Sequence, residues 1–129
     1  MDKLLVIEDS FDVRMGLQAV LTGEGHEVEA VATGEQGLEL FPAFQPDLVL
    51  VDLGLPGISG LEVCERIRKI SVVPIIVFSA VMETAEKIKA LRTGANDYVV
   101  KGTEVSELIS RVTAQLRWYK DRMGGAAAI

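Results

Sequence analysis

Short runs made only of apolar residues alternate with longer stretches of helical spacing along this chain, and no other feature restricts its fold as much. The strongest runs are Leu4–Ile7, Leu48–Val51 and Ile75–Phe78; Val28–Val31 and Tyr98–Val100 are weaker. Runs this short and this rich in Val, Leu and Ile read as strands buried on both faces. Between them Val13, Leu17, Val20 and Leu21 share one helical face. So do Val63, Ile67 and Ile70, then Ile88, Leu91 and Ala95, then Leu108, Ile109, Val112 and Leu116. A shorter helix is expected around Leu38 and Phe41. Strand followed by helix, repeated five times, predicts an α/β fold: a doubly wound parallel sheet of five strands, helices on both faces and right-handed crossovers.

The punctuation agrees with this division. Ser10, Thr33, Ser59 and Thr103 stand where side-chain oxygens cap helix starts. Gly23, Gly25 and Gly94 stand where helices end, and Pro46 and Pro74 precede strands. The 129 residues make one ordinary domain, placed at residues 1–122. Residues 123–129, which include "GGAAAI", read as a flexible tail, the start of a linker or a cloning remnant. With 49% hydrophobic and 25% charged residues the chain is globular rather than disordered. A formal net charge of -6 argues against nonspecific nucleic-acid binding by this chain. The single cysteine, Cys64, excludes an internal disulfide and fits a reducing, cytoplasmic location. The start "MDKLLVIED" is too short and too acidic for a signal peptide. No apolar run approaches the ~20 residues of a membrane helix, so no membrane role is expected.

In an open parallel sheet, ligands bind beyond the carboxyl ends of the strands. Glu8 and Asp9 follow the first run, Asp52 the third, Ser79 the fourth and Lys101 the fifth. Ionised carboxylates are costly to bury, and Asp52 ends an apolar run because that run stops at the mouth of a site. With the first strand central and beside the third, three carboxylates meet, facing a hydroxyl and an ammonium. Close carboxylates repel and call for a cation, and an oxygen-only set suits Mg²⁺. A carboxylate also acts as a nucleophile toward phosphorus. Asp52 would attack, Mg²⁺ and Lys101 would neutralise the phosphoryl oxygens, and Ser79 would donate a hydrogen bond. Taken singly each residue has a plainer reading: a solvated strand end for Glu8 and Asp9, a turn cap for Asp52, a loop hydroxyl for Ser79, surface charge for Lys101. Their convergence favours the site.

The motifs "VIEDS", "DLVLVDLGLPGISGLE", "PIIVFSA" and "GANDYVVK", in this order and spacing, resemble the receiver domains of two-component response regulators from about Lys3 to Arg122. The resemblance implies the strand order 2-1-3-4-5, an order for which the chemotaxis receiver is a standard example. It implies phosphoryl transfer to Asp52 from the phosphohistidine of a sensor histidine kinase or a phosphotransfer protein. It assigns metal binding to Asp9, Asp52 and the backbone carbonyl of Gly54, with Glu8 acting mainly through water. It makes Ser79 and Tyr98 switch residues, although a strand tyrosine is also ordinary core. It implies that the chain assists only its own phosphorylation and dephosphorylation and is not otherwise an enzyme. Slow hydrolysis of the phosphate is expected, with Val81 hindering water. The end of the chain resembles receivers of the winged-helix transcription-factor group, which dimerise through the face of the fourth helix, fifth strand and fifth helix. Lys87 would pair with Glu107 of the second copy and Asp97 with Arg111, while Asn96 and Thr113 replace charges usual in that group. The plain alternative is an ordinary solvated helix surface.

One departure is that Gly102 follows Lys101 where the family usually has Pro. A cis bond before a non-proline residue costs ~2.5–4 kcal/mol, so a trans peptide and a reshaped loop are expected. Cys64 and His26 read as structural or exposed, and Trp118 and Tyr119 as cover for the core or a neighbour. A flavin carrier would need a Ser/Thr/Gly-rich phosphate loop where "EDSFD" stands. An aspartyl-phosphate phosphatase would need an acid two positions after Asp52, where Gly54 stands. A stand-alone relay receiver, or a phosphorylation-independent module of the same shape, is the alternative to a transcription switch.

Overall fold

Five runs become five strands because each meets a neighbour of its own kind. The computed structural model describes residues 2–80 and 82–128, with side chains described as far as residue 123. In chain order the elements are β1 (Lys3–Ile7), α1 (Phe11–Gly23), β2 (Glu27–Val31), α2 (Gly34–Phe44) and β3 (Leu48–Val51). Then follow α3 (Gly60–Arg68), β4 (Ile75–Ser79), α4 (Thr84–Thr93), β5 (Asp97–Val100) and α5 (Val105–Ala128). The strands are parallel and ordered β2-β1-β3-β4-β5, as expected. The sheet register sets Ile7 beside Val51 and Val51 beside Val77, so the strands end along one edge.

Side chains alternate across a strand, and the apolar runs therefore feed two cores at once. Leu5, Ile7, Val49, Val51, Ile75 and Val77 pack on one face with Phe41, Phe44, Val63, Cys64 and Ile67, from α2 and α3. Leu4, Val6, Leu48, Leu50 and Ile76 pack on the other with Leu17 and Leu21 of α1 and Leu108, Val112 and Leu116 of α5. This is why β1 and β3 tolerate no polar alternation.

The weaker runs behave differently. β2 and β5 are the edge strands, and neither is buried on both faces: Glu27 and Glu29 point to solvent, and of β5 only Val99 is fully buried. Two helical faces also depart from their spacing. Ile70 falls beyond the end of α3 and is 67% exposed. On α4 the buried residue is Ala90, while Ile88 and Leu91 turn outward. A helix beside an edge strand has less sheet to cover, so its apolar stripe is only partly used.

The caps follow suit. The Ser10 and Ser59 hydroxyls accept from the Val13 and Glu62 N–H groups, and Thr33 forms a reciprocal capping box with Gln36. Thr103 is not the cap of α5, because the helix starts at Val105 and its first turn closes on the Glu104 carbonyl. α4 starts after Glu83 with no side-chain cap. The expected tail falls on residues 123–129. α5 carries helical backbone to Ala128, and the side chains beyond residue 123 lie outside those described.

Candidate functional site

The site lies where β1 and β3 end together. The Asp52 N–H donates to the Ile7 carbonyl (3.0 Å) and the Glu8 N–H to the Val31 carbonyl (3.0 Å), which ties the three strand ends. One carboxylate oxygen from each of Glu8, Asp9 and Asp52 then lies within 4.8 Å of the others. Glu8 and Asp52 are buried and Asp9 is exposed. Lys101 arrives from the end of β5. Its ammonium donates to Asp52 Oδ2 at 3.1 Å and forms an ion pair with Glu8 Oε1 at 2.6 Å. The other Glu8 oxygen accepts from the Ser10 N–H (3.1 Å), and Asp52 Oδ1 from the Gly54 N–H (3.3 Å).

Burial pushes the Glu8 pKa up. Lys101 and the Ser10 N–H pull it back, and the Asp52 charge adds to the rise. Burial pulls the Lys101 pKa down, but its bonds and charge contacts with Glu8 and Asp52 outweigh that and raise it overall. One ammonium against three carboxylates leaves an excess of negative charge in a pocket that offers only oxygen donors. That donor set fits a hard divalent cation.

The reach of Lys101 was the open question raised by Gly102. The Lys101–Gly102 peptide is trans and Gly102 adopts φ +100°, a left-handed conformation that glycine takes freely and proline cannot. The Lys101 N–H donates to the Ser79 carbonyl (2.8 Å), so the side chain launches from a position fixed by β4. Ser79 is buried at the end of β4 and shares this edge. Tyr98 is half-buried against the α2–α3 core, with the Lys87 ammonium 5.9 Å from its ring centre. Val81, expected to hinder water, lies outside the described residues.

Three of the four charges proposed for a dimer, Asp97, Glu107 and Arg111, are paired within the one chain. Arg111 holds both Asp97 oxygens (2.9 and 3.0 Å) and reaches Glu107 at 3.4 Å. Asp97 and Glu107 raise its pKa.

The sequence reading missed the buttress behind Asp52. A Cβ on Gly60 would stand 2.1 Å from the Asp52 carbonyl oxygen, so α3 packs its first residue against the loop that carries the acid. Glu35 of α2 holds the same loop through the Ile58 N–H (3.3 Å). The "GISG" spacing was the available signal, but only the fold brings Gly60 back to Asp52. Cys64 is buried, with its thiol pushed up to about 11 by burial, and is structural as expected.

Comparison with known proteins matches residues 4–113 to the response regulator receiver domain. The transcriptional regulatory protein AfsQ1 of Streptomyces coelicolor is 44% identical over 117 residues, 91% of this chain and 52% of that protein. The DNA-binding response regulator MtrA of Mycolicibacterium smegmatis is 40% identical over 119 residues, 92% of this chain and 52% of that one. This chain thus spans about half the length of these relatives. Among solved structures, the beryllofluoride-activated N-terminal receiver domain of Klebsiella pneumoniae RstA superposes with a TM-score of 0.88 at 30% identity. It covers 90% of this chain and 99% of that one. No described helix is long and apolar enough to cross a membrane. The acidic edge, the strand order and these relatives agree, and the chain belongs to the receiver-domain family of two-component response regulators.

Proposed function

We propose that this receiver is a phosphorylation switch that accepts a phosphoryl group on Asp52 from the phosphohistidine of a sensor histidine kinase or a phosphotransfer protein. The observation that carries the reading is the meeting of Glu8, Asp9 and Asp52 within 4.8 Å, with the Lys101 ammonium between two of them. An Asp52 oxygen attacks the phosphorus as the P–N bond breaks. The electron pair of that bond returns to the imidazole nitrogen, and the product is an aspartyl phosphate. Lys101 neutralises charge on the transferred group and the Ser79 hydroxyl donates to it. Asp9, Asp52 and the Gly54 carbonyl would hold Mg²⁺, with Glu8 acting through water, and the bound ion would neutralise further phosphoryl charge. Gly54 offers no side chain as a general acid or base, which supports self-modification rather than turnover of an external substrate.

The test is intact mass after incubation with acetyl phosphate and Mg²⁺. One phosphate adduct is expected, lost in Asp52→Asn and reduced without Mg²⁺. An adduct that persists in Asp52→Asn overturns the reading.

The output is inferred from the relatives, which are named as transcriptional and DNA-binding regulators. We infer control of transcription through an output domain or partner, with this acidic chain itself making no contact to nucleic acid. Phosphorylation replaces the single charge of the Asp52 carboxylate with a phosphoryl group that carries roughly 1.5–2 negative charges and three acceptor oxygens beside Ser79. The bonded Ser79 draws its loop inward and Tyr98 turns into the space, remodelling the α4-β5-α5 face. Two features support this route: α4 starts without a side-chain cap, and it exposes Ile88 and Leu91. Hydrogen exchange with and without beryllofluoride tests it. Changed protection across residues 82–100 is expected, and unchanged protection would overturn it.

A further inference from the structure

We propose that Arg14 is a positioning residue of the cation site, holding the backbone from which Glu8 and Asp9 project. The inference rests on the reading of that acidic cluster as a Mg²⁺ site. Arg14 lies on the first turns of α1, and its Nη1 group donates to the Glu8 carbonyl (3.0 Å) and the Asp9 carbonyl (3.3 Å). Its guanidinium also lies 5.6 Å from the ring centre of Phe11, which is 65% exposed and covers no core. The stack restricts the arginine to the orientation that serves both carbonyls.

The two acids depend on that clamp unequally. The Glu8 carboxylate is held by Lys101 and by the Ser10 N–H. The Asp9 carboxylate has no hydrogen-bond or ion-pair partner among the described residues, so its aim depends on its backbone. The Glu8 N–H bond to Val31 secures the loop from the β2 side, and Arg14 secures it from α1. Groups behind metal ligands that fix their orientation commonly affect affinity as much as tenfold or more.

The sign of the effect separates positioning from charge. Removing a positive charge near an acidic cluster would, by electrostatics alone, tighten cation binding. Loss of the clamp loosens it. Mg²⁺ titration of the full chain by amide chemical shifts should therefore show an affinity about tenfold weaker in Arg14→Met. Arg14→Lys, with one compact ammonium in place of the fork, should fall between. In metal-free protein, Arg14→Met should also speed amide exchange at residues 8–10 while leaving β3 protected. Equal or tighter Mg²⁺ binding in Arg14→Met, or weaker binding without faster exchange at residues 8–10, overturns the proposal. Asp9→Asn is the reference. If it binds Mg²⁺ like the parent, the cation-site reading fails, and the exchange of metal-free protein still tests the clamp.

Discussion

Glu8 is a carboxylate that the fold buries at 1% exposure and then surrounds with charge. Its raised pKa means that the folded state holds a proton that the unfolded chain releases near 4.5. The folded state then binds more protons, so stability falls as pH rises from 4.5 through the elevated folded value. Lys101 works in the opposite range. Its raised pKa contributes stability that is fully present below 10.5 and is lost as pH climbs through the folded value above it. Thermal unfolding of metal-free protein from pH 4 upward should show the Glu8 loss, and Glu8→Gln should flatten it. Lys101→Met removes a group that lowers the Glu8 pKa, so the carboxyl carbon of Glu8 should titrate at higher pH in that variant than in the parent. A lower value would contradict the geometry. Both measurements concern charge placement and need no phosphate.

At the scale of elements, the site is a set of loops held from behind by helices. α3 approaches the β3–α3 loop so closely that Gly60 leaves no space for a methyl group, and the obstacle is backbone. Gly60→Ala should cost roughly 1–3 kcal/mol and slow phosphorylation of Asp52 even where the variant folds. Gly16 on α1 has open space around it, and Gly16→Ala should instead add about 0.5–1 kcal/mol through helix propensity. Denaturant midpoints of the two variants should move in opposite directions. Among the described residues, side-chain bonds to other elements hold α4 at its C-terminal end. Arg68 donates to the carbonyls of Gly94, Ser71 and Val73 and to the Asn96 side chain, pinning the C-terminal end of α4 to α3 and to the start of β5. The opposite end starts uncapped at Glu83. Arg68→Lys keeps the charge but cannot reproduce the fork. It should cost about 2–3 kcal/mol and reduce hydrogen-exchange protection at the C-terminal end of α4 before the sheet is affected.

For the whole molecule, two cores share one sheet, and the proposed signal would be read on the surface outside them. The proposed α4-β5-α5 face includes the exposed apolar Ile88 and Leu91 of α4 together with Lys87, Asp97, Glu107 and Arg111. Arg111 already satisfies Asp97 and Glu107 in its own chain. A cross-subunit pair would exchange one ion contact for another, and exposed pairs contribute only ~0–1 kcal/mol. Apolar contact must therefore supply most of the affinity of a dimer through this face. Sedimentation with beryllofluoride should show dimers that Leu91→Glu dissolves and that Arg111→Glu also weakens. A strict monomer in both states overturns dimerisation through this face and favours a receiver that docks a different protein there.

The central strands and the placement of the acidic residues at one sheet edge were legible in the sequence because each follows from a local rule. An unbroken apolar run demands two covered faces, and a charge that ends such a run must lie at the sheet's edge. The family motifs then supplied the strand order. What depends on neighbours was not legible. β2 and β5 are half-exposed because they are edges; α4 turns Ile88 and Leu91 outward because little sheet lies beneath it. α5 begins beyond the reach of Thr103. The reach of Lys101 past Gly102, the contact of Gly60 with Asp52 and the grip of Arg14 on two carbonyls join residues from different elements or across a turn. Periodicity and motif spacing record which face a residue prefers, but not which distant backbone atom it will meet. That choice was made by tertiary packing, which brings loop, helix and strand end to one place.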